Sequence, residues 1–219
     1  MPKIAGIITN LKEAQTAKFQ GADIVEIRLD LFSKNQLKTA PQLFQKIKKQ
    51  LKLPIILTIR KKSEGGSFSG NEKERSSLFN RFIPLSDFVD LELSSANNLG
   101  NIINLTKKFD KKLILSYHNF KKTLKYSQLL SFLKASQAHK PFLTKIAMFV
   151  ANDNDFLQLL NFCKIHSKLS NIAIIPMGHL SQLGRVICPI LGSYLTYGYI
   201  NTPVVANQLS LKQLKIILG

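Results

Sequence analysis

Ionisable side chains occur inside apolar, strand-like segments of this sequence. Lys145 interrupts the apolar segment TKIAMF, and His118 ends the preceding apolar segment, KLILSYH. A lysine amine that is buried near other cations binds a proton less tightly and can attack a ketone to form an imine. A histidine beside it could move protons on the neighbouring carbon. The pair indicates covalent catalysis; a strand lysine that points outward between helices is the alternative.

Other charged residues lie within or at the ends of similar segments. They are Glu26, Arg28, Arg60, Asp90, Glu92 and Arg185. A buried charge costs on the order of several kcal/mol unless it is paired. These groups must therefore neutralise each other or face one polar cavity at the ends of the strands.

The remaining histidines and the cysteines are weaker candidates for chemistry. His139 lies in a loop and His166 on a predicted helix, and we interpret both as solvated; His179 begins another helix. His and Cys residues are not spaced as a ligand cluster, so no metal site is expected. Cys163 and Cys188 lie in apolar contexts, which indicates buried thiols in a reducing compartment.

Eight short apolar segments alternate with eight amphipathic ones and would position these residues. The predicted strands cover residues 3–8, 23–29, 54–60, 88–93, 112–118, 142–149, 171–177 and 194–200. The predicted helices cover residues 11–19, 40–51, 71–82, 97–109, 123–135, 153–167, 179–189 and 209–218. This alternation predicts an α/β fold with a parallel sheet, and eight units predict a closed (β/α)8 TIM barrel. A doubly wound open sheet is the alternative, but no Gly-rich phosphate loop follows the first strand.

One loop stands out by its composition. The segment 61–72, KKSEGGSFSGNE, follows the third predicted strand and is rich in Gly and Ser. In a barrel this loop lies on the catalytic face, where it could cover a substrate as a lid. A disordered connection is the alternative.

The formal net charge of +18 raises the question of nucleic-acid or membrane binding. The lysines are scattered over predicted helix faces and ends without aromatic interleaving, so we interpret them as a solvated surface. The apolar segments are shorter than the roughly 20 residues of a membrane span, and residues 1–10 lack the features of a secretory signal. A cytoplasmic protein without a nucleic-acid or membrane partner is expected; a basic nucleic-acid-binding barrel is the rival from another class.

Seven segments resemble, in order, the strand-end motifs of type I 3-dehydroquinate dehydratases. They are GADIVEIRLD (21–30), TIRKKSEGG (58–66), FVDLEL (88–93), SYHNF (116–120), TKIAMF (144–149), IPMGHLSQLGR (175–185) and LTYGYINTPVVANQ (195–208). The match covers essentially the whole chain. It implies an aldolase-like barrel, a hydro-lyase without a cofactor, that converts 3-dehydroquinate to 3-dehydroshikimate and water in the shikimate pathway of chorismate and aromatic amino-acid biosynthesis.

The resemblance also implies a role for each site residue. Lys145 would form the imine, and His118 would act as general acid and base, oriented by Glu64 in the lid. Glu92 would support the histidine from deeper in the barrel, beside Asp90. The residues implied to bind substrate are Glu26, Arg28, Arg60 and Gln208 at the hydroxyls and ring, and Arg185 at the carboxylate.

The chain departs from the family pattern near the expected carboxylate site. Val204 stands where a serine is usual, and Ala206 and Asn207 replace a Pro-Gly pair ahead of the closing glutamine. Ser181 and Gly184 also differ from the usual arginine motif. These changes concern substrate binding, since the expected lysine, histidine and arginine are all present. A catalytically weakened domain and another imine-forming barrel, such as an aldolase, stay open as alternatives.

The domain organisation is predicted to be simple. Residues 1–219 are expected to form one catalytic barrel, because no linker or composition shift divides the chain. The resemblance leaves open a homodimer, and also a longer bifunctional chain in which this barrel precedes a shikimate dehydrogenase domain.

Overall fold

The computed structural model describes residues 1–178, 180–203 and 208–219. The strands of these ranges are β1 Lys3–Ile8, β2 Ile24–Arg28, β3 Ile55–Thr58, β4 Phe88–Glu92, β5 Lys112–Asn119, β6 Leu143–Phe149, β7 Ile172–Met177 and β8 Leu195–Gly198. The helices are α1 Leu11–Phe19, α2 Lys34–Lys46, α3 Glu72–Phe82, α4 Gly100–Lys108, α5 Tyr126–Gln137, α6 Asp153–His166, α7 Ser181–Ile190 and α8 Leu211–Leu218. Each predicted strand and helix overlaps one of these elements.

The eight strands form one parallel sheet that is almost closed. Its order is β7-β6-β5-β4-β3-β2-β1-β8, so the first seven strands pair with their neighbours in the chain and β8 pairs with β1. The main-chain N–H of Tyr194, just before β8, donates to the carbonyl oxygen of Ile172 in β7 at 2.8 Å and links the two edges. The predicted (β/α)8 barrel is confirmed, and the doubly wound alternative was wrong.

The strands carry apolar side chains on both faces, because the sheet is covered on both sides. Outward residues such as Val25 and Ile27 of β2 pack beneath the helices. Inward residues at the amino-terminal ends, such as Ile24, fill the barrel interior. Successive inward positions of β2 then carry Glu26 and Arg28. The inward apolar side chains therefore close the amino-terminal end of the barrel, and the polar groups lie at the carboxyl end.

Helix α2 begins six residues before the predicted start. Ser33 accepts a hydrogen bond from the N–H of Gln36, and the Gln36 side chain accepts one from the N–H of Ser33. This reciprocal cap favours a helix start at Lys34 in spite of Pro41 within the helix. The Ser-x-x-Gln signal was present in the sequence and was overlooked. The helix continues as one π-helical turn, Ile47–Leu51, which agrees with the predicted end.

The Gly- and Ser-rich loop after β3 folds back over the barrel mouth. It contains a short 3-10 turn, Lys62–Glu64, and its main-chain N–H groups at Gly66 and Phe68 donate to Lys61 and Arg60. A Cβ atom added at Gly66 would lie 1.9 Å from the carbonyl oxygen of Arg60, so only glycine allows this approach. The loop thus has a defined path beside the cavity, and its action as a lid stays a prediction.

Two interpretations of single residues have different outcomes. His166 is buried, with Nε2 3.1 Å from the Tyr126 hydroxyl and its ring against Phe162, so the prediction that it is solvated was wrong. The ring therefore lies between α6 and the start of α5, and burial lowers the pKa of its imidazole. Cys163 and Cys188 are buried and unbridged, as predicted. Within the described ranges, no helix is long and apolar enough to cross a membrane.

Candidate active site

The carboxyl ends of the strands surround an open cavity of about 660 Å³. All eight residues that the sequence assigned to catalysis or substrate binding line its wall: Glu26, Arg28, Arg60, Glu64, His118, Lys145, Arg185 and Gln208. Apolar side chains such as Ile7, Ile175 and Met177 complete the wall. The structure thus brings together groups from distant parts of the chain, and their individual roles stay predictions.

Lys145 and His118 lie on neighbouring strands and face the same cavity. Lys145 of β6 is in register with Ser116 of β5, and His118 is two residues further along β5 on the same face. Both side chains are largely buried, with 4% and 12% of their side-chain surface exposed. The strand register therefore places an amine and an imidazole side by side at the end of the barrel.

Carboxylates surround the Lys145 amine more closely than expected from the sequence. Its Nζ atom forms an ion pair with Asp90 and lies 3.9 Å from Glu26 Oε2. The expected cationic neighbour Arg60 is present, but it binds the same Asp90 carboxylate. Asp90 thus lies between the two cations and partly compensates their repulsion.

Asp90 is buried at the centre of a polar network inside the barrel. Its Oδ1 accepts hydrogen bonds from Arg60 Nη2 at 2.7 Å and from Ser116 Oγ at 2.6 Å, and Ser116 in turn accepts one from Arg60 Nη1. Burial opposes ionisation of this carboxyl, but the charges of Arg60 and Lys145 outweigh it and hold the Asp90 pKa well below its usual range. Asp90 is therefore an anion that positions both cations.

Glu92 has a different partner from the one expected. It forms ion pairs with Arg75 and Arg60, and it accepts a hydrogen bond from the N–H of Lys61 at 3.1 Å. These contacts do not join it to His118 directly, and support of the histidine through the charge of Glu92 stays a prediction. Arg75 comes from α3 and binds Glu92 instead, because the helix packs over the ends of β3 and β4.

Glu64 is the carboxylate that contacts His118. Its Oε2 accepts a hydrogen bond from the His118 main-chain N–H at 3.0 Å and lies 3.2 Å from Nδ1. Ser94 donates to the other carboxylate oxygen at 2.9 Å. A carboxylate beside Nδ1 favours the tautomer with a proton there, which leaves Nε2 as the proton acceptor. Burial, together with the charges of Arg60 and Lys145, lowers the pKa of His118 well below its usual range, so the ring is neutral at neutral pH.

Arg28 lines the cavity, and its guanidinium binds a carboxylate that lies two residues further along the chain. Asp30 accepts two parallel hydrogen bonds from Arg28, at 2.8 and 2.7 Å. The same carboxylate accepts hydrogen bonds from the N–H groups of Arg60 and Ser67. Asp30 thereby connects the lid segment to β2, and Arg28 is oriented by a bidentate ion pair.

Arg185 differs from the other arginines in its surroundings. Its Nη1 donates to the main-chain oxygen of Tyr197 at 2.7 Å. Among the described residues, no carboxylate forms an ion pair with it, and its buried Nε lacks a hydrogen-bond partner. Burial lowers the pKa of Arg185 to about 10, so it is still a cation at neutral pH. A buried guanidinium of this kind is suited to bind an anionic ligand.

The closing segment is described only in part. Gln208 is buried and lines the cavity. His179, Val204, Ala206 and Asn207 lie outside the described residues. Ser181 and Gly184 lie in α7, and a Cβ atom added at Gly184 would meet Pro176 of β7 at 2.6 Å. Glycine at this position therefore permits close packing of α7 on β7.

Four residues that shape the site were missed. Asp30 was visible in the EIRLD segment, directly after a charged strand end, but was given no role. Ser116 lies in the SYHNF segment, but no role was predicted for it. Arg75 looks like any arginine of an amphipathic helix, and Tyr197 looks like any aromatic residue of a strand, so neither carried a signal.

In the part of the chain that the structure describes, no cluster of three His, Cys, Asp or Glu side chains could hold a metal ion.

The chain is similar to known proteins over nearly its full length. A family model for type I 3-dehydroquinase matches residues 5–219. A protein of Methanocella arvoryzae named 3-dehydroquinate dehydratase is 37% identical over 213 residues, which cover 97% of this chain and 94% of that protein.

Solved structures agree with this match. The crystal structure of 3-dehydroquinate dehydratase from Aquifex aeolicus aligns with a TM-score of 0.87 at 33% identity, covering 99% of this chain and 97% of that one. A type I 3-dehydroquinate dehydratase from Clostridium difficile, crystallised with covalent modified comenic acid, aligns with a TM-score of 0.91 at 27% identity, covering 99% and 91%. This chain therefore belongs to the type I 3-dehydroquinase family.

Proposed function

We propose that this chain removes water from 3-dehydroquinate through an imine on Lys145 and so serves the shikimate pathway. Membership of the type I 3-dehydroquinase family supplies the reaction class, that of a hydro-lyase. The observation that carries the mechanism is the placement of the Lys145 amine and the His118 ring on adjacent strands of one cavity. The covalent modified comenic acid in the Clostridium difficile crystal structure is consistent with covalent chemistry in this fold.

The first step joins lysine and substrate. The Lys145 ammonium first gives up one proton, the free amine forms a bond to the ketone carbon as the carbonyl electron pair moves to oxygen, and that oxygen takes up the released proton. Loss of water from this carbinolamine leaves a protonated imine. The imine nitrogen then withdraws electrons from the adjacent carbon and acidifies its C–H bond.

The second step moves protons through His118. Nε2 removes a proton from the carbon next to the imine, the C–H electron pair forms the carbon–carbon double bond of the enamine, and the π pair of the C=N bond moves to nitrogen. The enamine then expels the β-hydroxyl group, which leaves as water with a proton from the imidazolium. Hydrolysis of the remaining imine releases 3-dehydroshikimate and returns the Lys145 amine. The histidine ends each cycle neutral, in agreement with its buried, cation-rich surroundings.

Recognition of the substrate is assigned to the remaining groups of the cavity. Arg185 would bind the carboxylate, because it is a buried cation without an ion-pair partner among the described residues. Glu26, Arg28, Arg60 and Gln208 would contact the hydroxyls and the ring. The direct test is turnover of 3-dehydroquinate, followed by the ultraviolet absorption of the conjugated enone that dehydration creates. Purified protein without this activity would contradict the proposal.

Replacing His118 by alanine is expected to reduce turnover by about 100-fold or more, the usual contribution of a general acid–base. Imine formation does not require the ring, so stalled covalent protein should accumulate and be trapped by borohydride. In the parental protein, kcat/KM should fall at low pH as the ring becomes protonated. Because the His118 pKa is lowered, this fall should lie below the ordinary histidine value of 6.5.

The control for this prediction is His139→Ala, since His139 follows α5 and does not line the cavity. It should turn over at the parental rate and keep the parental pH profile. An equally active His118→Ala protein would show that another group transfers the proton. A loss of activity without accumulation of the adduct would show that His118 is needed before the imine forms.

Replacing Arg185 by alanine is expected to raise KM strongly, because truncating one side of a desolvated ion pair costs roughly 2–5 kcal/mol. Lysine at the same position should recover only part of the loss, since it cannot bind a carboxylate in two parallel hydrogen bonds. The measurement is KM for 3-dehydroquinate in the parental protein and both variants.

The control for this prediction compares the same proteins with a changed substrate. A neutral carboxamide analogue of 3-dehydroquinate lacks the charge that Arg185 would bind, so Arg185→Ala should alter its binding little. An equal loss of affinity for the acid and the amide would mean that the carboxylate is bound elsewhere.

A further inference from the structure

Tyr197 contacts several groups of the proposed machinery, although the sequence gave no sign of it. It lies on β8, faces the barrel interior and lines the cavity. Its hydroxyl accepts a hydrogen bond from Lys145 Nζ at 3.3 Å, and its ring centroid lies 5.2 Å from the same nitrogen. The Glu26 carboxylate acts on this hydroxyl through its charge, and the Tyr197 main-chain oxygen accepts a hydrogen bond from Arg185.

The hydrogen-bonding roles of this phenol follow from its surroundings. Burial, and next the negative charges of Glu26 and Asp90, raise the pKa of Tyr197 well above its usual value. The phenol therefore keeps its single proton at neutral pH. The Lys145 ammonium can only donate, so a lone pair of the hydroxyl accepts from it, and the O–H bond is left to face the negative charge of Glu26.

The contacts of the lysine nitrogen leave one direction open. A lysine ammonium has three N–H bonds. Asp90, which is buried and is not part of the cavity wall, binds one of them, and the Tyr197 hydroxyl binds a second. The third acceptor, Glu26, lines the cavity and lies 3.9 Å away, beyond hydrogen-bond distance. Removal of the third proton would leave the nitrogen lone pair on the side of the cavity.

We propose that Tyr197 is a positioning residue that holds one N–H bond of Lys145 through its hydroxyl, so that the amine lone pair faces the ketone of the bound substrate. This inference rests on the proposed imine chemistry of Lys145. The hydroxyl neither gains nor loses a proton in the step. Together with the ion pair to Asp90, it restricts the rotation of the amine at the end of the Lys145 side chain.

The test is Tyr197→Phe, which removes one oxygen atom and keeps the ring that packs beside Lys145. Loss of a hydrogen bond to a charged group is expected to slow imine formation by about tenfold. The rate is measured in single turnovers quenched with borohydride, as the appearance of covalent adduct on Lys145. The value of kcat should fall with little change in KM, because the ring and the other substrate contacts are retained.

An isotope effect separates positioning from a general loss of structure. With 3-dehydroquinate deuterated at the carbon that loses its proton, Tyr197→Phe should show a smaller effect on kcat than the parental protein, because the earlier imine step limits the rate. A variant that is only partly folded would show a lower rate with the isotope effect unchanged. The matched control is Tyr194→Phe, which removes the same atom at the opposite end of β8 and should change neither quantity.

The outcomes distinguish this inference from the proposed function. If the parental protein forms no adduct on Lys145, both are overturned. If the parental protein forms the adduct and Tyr197→Phe forms it at the same rate, or with an unchanged isotope effect, only the role of Tyr197 is overturned. Slower adduct formation in Tyr197→Phe, with a reduced isotope effect and a normal Tyr194→Phe protein, supports it.

Discussion

Replacing Lys145 by methionine is expected to abolish turnover of 3-dehydroquinate, a loss on the order of 10⁴-fold or more, as for other enzymes that lose their nucleophile. Methionine fills a similar volume but cannot form an imine. The parental protein, treated with borohydride in the presence of substrate, should gain the mass of one reduced adduct. Peptide mapping should place that adduct on residue 145, and the variant should gain none.

Nonspecific labelling is the main confounder, because the chain has 31 Lys and Arg residues. Lys134→Met, at an exposed position of α5, is the matched control and should keep both turnover and labelling. A carboxylate competitor should suppress the adduct if it forms in the cavity. Full activity with methionine at position 145, or labelling confined to other lysines, would rule out the covalent mechanism.

Replacing Arg75 by methionine is expected to lower the free energy of unfolding by about 3–5 kcal/mol. Arg75 is fully buried, and its guanidinium binds Glu92, Ser95 and the main-chain oxygen of Ile59. Methionine would leave the Glu92 carboxylate buried with one fewer cation. Denaturant unfolding at neutral pH measures the loss, and Arg81→Met, on the exposed face of α3, should change stability by less than about 0.5 kcal/mol.

The pH dependence of this loss provides a second check. Burial opposes ionisation of Glu92, but Arg60 and Arg75 outweigh it and lower the Glu92 pKa. A lowered carboxyl pKa stabilises the fold above the unfolded value of about 4.3, and this contribution is lost as pH falls through the folded value. The gap between parental and Arg75→Met stability should therefore be largest above about pH 5 and should narrow in acid. A gap under about 1 kcal/mol at neutral pH would show that the Arg75–Glu92 pair contributes little.

The barrel could be predicted because its signals are local. Each strand is a short apolar segment, each helix follows it with its own amphipathic spacing, and eight parallel units can close only with neighbouring strands paired. The end of the π-helical turn that extends α2, Leu51, was predicted correctly. The start of α2 was missed because the capping signal at Ser33 was overlooked. Errors of this kind concern a few residues at an element boundary and do not change the topology.

The lining of the cavity could also be predicted, since it depends on residue type at the carboxyl end of each strand. Lys145 and His118 stood out because charged groups are costly in apolar segments, and the family resemblance pointed to Glu64 and Arg185. All of them line the cavity. What each does to a substrate stays a prediction until the variants are measured.

The sequence by itself therefore determined the fold class, the family and the eight charged or polar residues predicted to line the cavity. Only the tertiary structure decided how those residues are paired. Lys145 contacts Asp90 and Tyr197, Glu92 contacts Arg75 instead of His118, and His166 is buried although its helix looked solvated. The reason is physical: a strand's side-chain direction follows from its period of two, but the distance between two side chains depends on the tilt and closure of all eight strands and on how each helix packs across them.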